Sequence, residues 1–545
     1  MNNDYELYDI KKLNSVRELI SYRVNRNEND IAFSYSEKNK LIEVNYSRLQ
    51  ADMYSLGTWL FSNGFRGRKI ALAGENSYIW LLSYFAVING GNVIVPVDKE
   101  LQCNEIVHLA GVSECTAIIH SDKLSEIEKI IKENGMNIKC ISFSKIEGCL
   151  GEGKKLVDNG ENEYIDYKVN SDSVTAIVFT SGTTGVSKGV MLTQKNIMSD
   201  TYAACRNAMY SGNSMLVLPL HHMFGLVAGV LAVMQYGYSV YINQSIKRLM
   251  IDFKIAQPEN MALVPLFVEN MYKQISAEIK RQKKGKLINF LIGLSKALGK
   301  MGIDIRRKLF SSILNTFGGN LNVIMCGGAA LDSKYVEHFR DFGINILNGY
   351  GITECSPVVS VNRNKYYKDG SVGKCLCECE VRIDEPNEKG EGEICVKGNI
   401  VMSGYYNMTE ETSEVLKDGW FYTGDIGYVD SSGFLFITGR KKNLIILSNG
   451  ENVSPEELEM RILREIPLVE EVVVFGADGI IQAEIFPQIQ AGIDENVVKE
   501  EIKKFISAMN DHLPTVKRIN NILWRTVEFP KTTTKKIKRN SVLKK

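Results

Sequence analysis

Apolar side chains recur at helical spacing over 49–63, Lys69–Ala73 reads as a short strand, 79–88 is helical again, and 92–97 (NVIVPV) reads as a buried strand. Alternation of this kind predicts a layered α/β domain. Two further runs, Val174–Thr180 and 321–326, are apolar and rich in β-branched residues, and each runs into a glycine-bearing loop. That is the pattern of the carboxyl edge of a parallel sheet, where ligands bind. From residue 370 the texture changes to short segments (EVRID, GEICV, GYVD, FLFITG) separated by Gly, Asn and Asp, which predicts a small antiparallel or barrel-like region. Beyond 440 a helix at Pro455–Glu465, strands at 472–476 and 482–486, and a helix at 496–513 outline a small α+β unit. The predicted boundary is 440–442, dividing an N-terminal domain, 1–440, from a C-terminal one, 441–545.

Composition adds bounds. A chain of 545 residues exceeds what one core fills, about 250–300 residues, so two or more folding units are expected. With 44% hydrophobic and 24% charged residues and a net charge of +1, any electrostatic attraction must be local. Nucleic-acid binding is disfavoured, because the basic C-terminal tail has no interleaved aromatics. The first residues, MNNDYELYDIKK, lack the apolar core of a secretory signal. The most apolar run, 223–234, is shorter than the roughly 20 residues that span a bilayer. Eleven cysteines in so long a chain fit reduced thiols, and a cytoplasmic location is expected. Cys375, Cys377 and Cys379 are spaced by two, which predicts one face of an ordinary strand; with no His or CxxC nearby, zinc is disfavoured.

The chemistry is concentrated at 180–189, TSGTTGVSKG. Glycines 182, 185 and 189 let backbone N–H groups converge on phosphate oxygens. Thr180, Ser181, Thr183, Thr184 and Lys188 add donors to the anion. The glycine spacing is not that of a Walker loop.

This segment resembles the phosphate-loop signature of the adenylate-forming superfamily: acyl-CoA synthetases, luciferases and adenylation domains. The likeness extends in order over nearly the whole chain. It implies an α/β N-terminal domain with ATP and acyl sites and a small, mobile C-terminal domain. In GYGITE (349–354) it implies that Tyr350 and Gly351 line the adenine, that Thr353 contacts the α-phosphate and that Glu354 holds Mg²⁺. Gly328 and Ala329 resemble the loop beside the adenine and acyl pockets. Asp425 in YTGD and Arg440 in ITGRKKNLI resemble the ribose contacts, Lys442 the hinge, and Gly450 the glycine beside the pantetheine arm. In PKTTTKKIKR the catalytic lysine aligns with Lys536, although many members have glycine where this chain has Lys535. His222, in PLHHMFG, aligns with the residue beside the acyl carboxylate, and His221 reads as structural.

The implied reaction is attack of a carboxylate on the α-phosphorus of ATP, with Mg²⁺, to give acyl-AMP and pyrophosphate, followed by transfer to the thiol of CoA. Its main difficulty is repulsion between anions, so charge neutralisation and positioning dominate. No Asp lies between 219 and 229 to hold a substrate ammonium, and 215–242 is apolar. Together with VPLFVENMYKQ and the helical insert to about 314, this resembles bacterial long-chain acyl-CoA synthetases and implies a medium- to long-chain fatty acid. An acyl carrier protein is an alternative acceptor, and a non-catalytic nucleotide-binding protein is the alternative of a different class. Residues 273–308 hold eleven basic and two acidic residues around LINFLIGLSKAL, which fits either a solvated cap or peripheral contact with the inner membrane face.

Overall fold

In a computed structural model the predicted periods become the predicted elements. The structure describes residues 6–38, 40–180, 187–446, 452–477, 480–489, 494–531, 537–539 and 542. The helix expected at 49–63 is Tyr46–Ser62, begun by the Asn45 side chain accepting from Arg48 N–H. That expected at 79–88 is Tyr78–Ile88, begun by Ser77 accepting from Trp80 N–H and buried along nearly its whole length. Capping of this kind satisfies amide donors that the first turn leaves without partners.

The chain divides into two compact units, residues 1–380 with 396–421, and 381–395 with 422–545. Residues 440–442 lie inside the second. The first unit holds two large sheets. A seven-stranded sheet runs, edge to edge, Gly404–Tyr405, Lys188–Thr193, Val174–Thr180, Val93–Val97, Lys69–Ala73, Ala117–His120, Lys139–Ser142. It is parallel from Val174–Thr180 to the last strand and antiparallel at the first two. The nine-stranded sheet contains Asn260–Leu263, Val323–Cys326 and Asn345–Gly351 in parallel register. The two apolar runs with glycine-bearing ends thus belong to different sheets.

The apolar run 223–234 is a succession of short helices, Met223–Leu226, Val227–Leu231 and Ala232–Tyr236, buried almost throughout. No helix among the described residues is long and apolar enough to cross a membrane. The insert forms two long helices, Pro265–Arg281 and Gly285–Lys300, followed by short ones.

One expectation is overturned. Cys375 ends the strand Lys374–Cys375, Cys379 begins Cys379–Asp384, and exposed Cys377 lies in the turn between. Alternation cannot place side chains on one face where the strand stops. The Cys375 and Cys379 sulfurs are 3.3 Å apart across that turn.

In the second unit the strands expected after 370 include Leu435–Arg440, paired antiparallel with Trp420–Val429. A three-stranded sheet, Val469–Ala477, Ile480–Pro487 and Ile519–Trp524, packs with helices Pro455–Glu465 and Glu495–Asp511 around Leu458, Ile462, Val474, Ile485, Ile502 and Ile506.

Candidate active site

In the first unit, Val174–Thr180 and Lys188–Thr193 form an antiparallel pair in which Thr180 stands opposite Lys188. Thr180 and Lys188, which flank 181–187, are therefore held side by side by the sheet. Ser181, Gly182, Thr183, Thr184 and Gly185 lie outside the described residues. Lys188 Nζ sits 4.7 Å from the centre of the Tyr405 ring, a distance at which a cation is attracted to the ring face. Tyr405 is delivered by the edge strand Gly404–Tyr405, which pairs with Val190 and Met191.

Tyr405 also donates its hydroxyl to Glu354 Oε1 at 2.9 Å. Glu354 is buried in the turn Thr353–Cys355, and its carbonyl accepts from Met402 N–H at 2.8 Å. Lys188, Tyr405 and Glu354 therefore form one connected group. Sequence reasoning missed Tyr405: nothing local in SGYYN marks it, and its partner is 51 residues away in the chain.

Tyr350 is half-buried on Asn345–Gly351, opposite Ser360. Gly351 is required by close approach, because a Cβ there would stand 1.9 Å from Pro357 O. Gly328 has φ +88°, a conformation that side chains disfavour, and it and Ala329 are exposed just beyond Val323–Cys326. A Cβ at neighbouring Gly327 would lie 3.5 Å from both Gly349 O and the Phe224 ring. The 327–329 turn thus brings the GYGITE strand beside the histidine segment.

In that segment Asn76 donates to Leu218 O and accepts from Leu220 N–H, at 2.9 and 3.1 Å. His222 precedes the helix Met223–Leu226, with its ring centroid 4.2 Å from that of His221. Burial holds both imidazoles below their ordinary value, His221 well below it. His222 and Lys99 push His221 further down, whereas Asp98 pulls His222 partly back. His221 Nε2 lies 3.7 Å from Asp98 Oδ1. Asp98 is a second residue that sequence reasoning missed, since its proximity depends on strand Val93–Val97. Beyond the histidines, Leu218, Ala228, Ala262 and Val264 form an apolar cluster with Phe224 and Phe267.

In the second unit Asp425 and Arg440 are register partners on adjacent strands, and Arg440 Nε donates to Asp425 Oδ1 at 2.6 Å. Thr423 holds this arrangement by donating to Ile394 O and accepting from Asp425 N–H, at 2.7 and 3.0 Å. Lys442 is exposed in the turn Lys441–Asn443, whose Asn443 donates to Glu456 Oε1 at 2.6 Å. Gly450 and Lys536 lie outside the described residues. The neighbours of Lys536 are described: Lys531 bridges to Ile537, and Lys531 pairs with Glu471 and Glu528. Arg539 pairs with half-buried Glu459 and donates to Val474 O at 3.0 Å. Read in isolation the basic tail is a solvated stretch; these ion pairs tie its described part to the sheet.

Among the described residues no group of three or more His, Cys, Asp or Glu could hold a metal ion alone. Glu354 still fits Mg²⁺, because that ion is commonly bound by one or two carboxylates together with phosphate oxygens and water.

Residues 20–406 match the AMP-binding enzyme family, and 442–545 match the AMP-binding enzyme C-terminal domain. Long-chain-fatty-acid–CoA ligase FadD15 of Mycobacterium tuberculosis is 29% identical over 436 residues, covering 75% of this chain and 71% of the relative. Long-chain-fatty-acid–CoA ligase 5 of Rattus norvegicus is 28% identical over 510 residues, covering 86% and 74%. Among solved structures, o-succinylbenzoate CoA synthetase (MenE) from Bacillus subtilis with its acyl-adenylate OSB-AMP superposes with a TM-score of 0.76 at 22% identity, covering 97% of this chain and 98% of that one. A Mycobacterium tuberculosis fatty acyl CoA synthetase gives 0.67 at 20% identity, covering 97% and 98%. These superpositions show a shared fold. The family match over most of the chain, with the separate match of the C-terminal segment, places this protein in the AMP-binding enzyme family.

Proposed function

We propose that the chain is an AMP-forming acid–thiol ligase that converts a medium- to long-chain fatty acid to acyl-AMP and then to acyl-CoA. The observation that carries this reading is the connected group Lys188–Tyr405–Glu354, a cation and a carboxylate held on one ring beside the segment assigned to the triphosphate. Mg²⁺, when bound, neutralises phosphate charge and favours departure of pyrophosphate.

The protein's own residues do the rest. Lys188 and the 181–185 amides hold the β- and γ-phosphates, so that pyrophosphate leaves into a site already rich in donors. Glu354, fixed by the Tyr405 hydroxyl, presents an oxygen to the cation. Asp425 accepts from the ribose hydroxyls, and its pairing with Arg440 sets its orientation beforehand. Lys536 brings positive charge to the carboxylate and α-phosphate as they meet, which lowers the repulsion between them. For the second step we propose rotation of 441–545 about Lys442, withdrawing Lys536 and bringing the Gly450 segment to the thiol. His222, kept neutral by burial, then lies beside the acyl carbonyl without adding a charge.

The fatty-acid assignment is supported by the apolar cluster around Leu218, Ala262 and Phe267 and by the names of the relatives. Incubation with ATP, Mg²⁺, CoA and acids from acetate to stearate tests it, with pyrophosphate and thioester both measured. Output should rise with chain length; release of pyrophosphate with thioester formed only on a carrier protein would transfer the acceptor role to that partner. No release with any acid would overturn the enzymatic reading. His222→Ala should impair thioester formation more than acid-dependent pyrophosphate exchange; equal losses would remove it from the second step.

A further inference from the structure

The helical insert turns one side of Gly285–Lys300 into the core and leaves another apolar side bare. Ile288, Leu291 and Ile292 pack against the cluster that includes Phe310, Phe339 and Phe342. On the outer side, Leu287, Phe290 and Leu294 are 51%, 67% and 39% exposed, and Met301 just past the helix is 74% exposed. At about 100° per residue, positions 287, 290, 294, 297 and 301 fall within one stripe roughly 80° wide. The bare and buried apolar sides adjoin through Leu298, and Lys286, Asn289, Lys296 and Lys300 occupy the remaining face. A contiguous bare stripe of large apolar side chains marks an interaction surface.

Charge identifies the partner. Residues 273–308 carry eleven basic side chains against two acidic ones. Glu278 is engaged by Arg281 and Asp304 by Arg306. Lys283, Lys284, Lys286 and Lys300, which border the stripe, make no ion pair among the described residues. Sixteen residues of helix are too short to span a bilayer but suit a helix lying in its surface.

We infer that Gly285–Lys300 with Met301 docks on an anionic lipid surface. Leu287, Phe290, Leu294 and Met301 enter the acyl boundary, and the bordering lysines meet the headgroup phosphates while their stems follow the apolar edge. A second copy of the chain fits less well, because two-fold pairing of this face would bring lysines against lysines. The inference rests on surface chemistry and holds whichever acid the site activates.

Flotation of the full chain with vesicles tests it. Vesicles of phosphatidylcholine with about a quarter phosphatidylglycerol should carry the protein up at about 50 mM salt and release most of it at about 500 mM. Vesicles of phosphatidylcholine alone should retain at least tenfold less. Phe290→Glu with Leu294→Glu should lower binding to the anionic vesicles at least tenfold while leaving acid-dependent pyrophosphate release in vesicle-free solution unchanged, which also shows that the variant folds. No flotation of the wild-type chain, or equal flotation of the variant, would overturn the inference. So would a concentration-dependent dimer in sedimentation velocity that the same variant abolishes, since the occupant would then be a second copy. Loss of pyrophosphate release with every acid while flotation persists would count against the ligase reading alone.

Discussion

The segment assigned to the triphosphate and the segment that carries Lys536 are anchored in opposite ways. The first starts and ends on a ladder of backbone pairs inside a seven-stranded sheet, Val178 with Val190, Phe179 with Gly189, Thr180 with Lys188. The second starts and ends on a single bridge, Lys531 with Ile537, reinforced by Lys531 with Glu471 and Glu528 and by Arg539 with Glu459. Neutral ladder bonds respond weakly to pH and salt, whereas ion pairs depend on the ionisation of each partner and on screening. The described contacts flanking 181–187 are thus backbone bonds, whereas those flanking 532–536 rely largely on charged side chains.

That contrast can be broken at its most consequential point. Lys536→Ala should lower acid-dependent pyrophosphate exchange about 100- to 1000-fold, the scale of losing one preorganised group from a charge-stabilising site. Thioester formation from supplied acyl-adenylate should fall far less, and equal losses would mean that the lysine serves both steps.

Next in size is the anchor. Arg539→Gln removes the guanidinium from the half-buried Glu459 carboxyl and should destabilise the C-terminal region by about 2 kcal/mol, the scale of one charge-assisted hydrogen bond. Hydrogen exchange in Val469–Ala477, the strand whose Val474 contacts both groups, would report it. Burial pushes Glu459 up to about 7, above its ordinary 4.5, with Arg539 opposing the shift. The folded region then holds a proton that the unfolded chain has released, so its stability should fall as pH rises from about 4.5 to 7 and level off above, by roughly 3 kcal/mol in total. Glu459→Gln should flatten that slope; an unchanged slope would place the titration elsewhere.

Smaller effects belong to the first unit. Tyr405→Phe removes the donor to Glu354 while keeping a ring under Lys188, and should raise the Mg²⁺ concentration for half-maximal activity about tenfold, as expected for one hydrogen bond to a charged group. Thr180→Val removes one hydroxyl expected at the phosphates while leaving the ladder intact, and should raise the ATP KM about threefold; an unchanged KM would take Thr180 out of the phosphate site.

Elements whose cause is local were legible in the sequence. Lys69–Ala73, Val174–Thr180 and Pro455–Glu465 occur with the expected bounds, since periodicity and an initiating Pro455 act within a few residues. Contacts closed by sheet order were not legible. Asp98 reaches His221 because Val93–Val97 ends near the 218–222 segment, and Tyr405 reaches Glu354 because Gly404–Tyr405 adds an edge to the sheet that carries Lys188. The cysteine trio was misread for a related reason: a spacing of two says nothing about where the strand ends. Asp425 and Arg440 were legible as motif residues, but their facing register was a property of the ladder alone.

The Tyr405 ring meets two neighbours whose demands on its electron density are opposed. Lys188 is drawn to the electron-rich face, and Glu354 takes the proton edge of the hydroxyl. A fluorinated tyrosine at this position would strengthen the hydroxyl as a donor and, by the same withdrawal of electrons, weaken the face as a partner for the ammonium. The grip on the lysine and the grip on the carboxylate would then move in opposite directions from a single change in one ring's electron density.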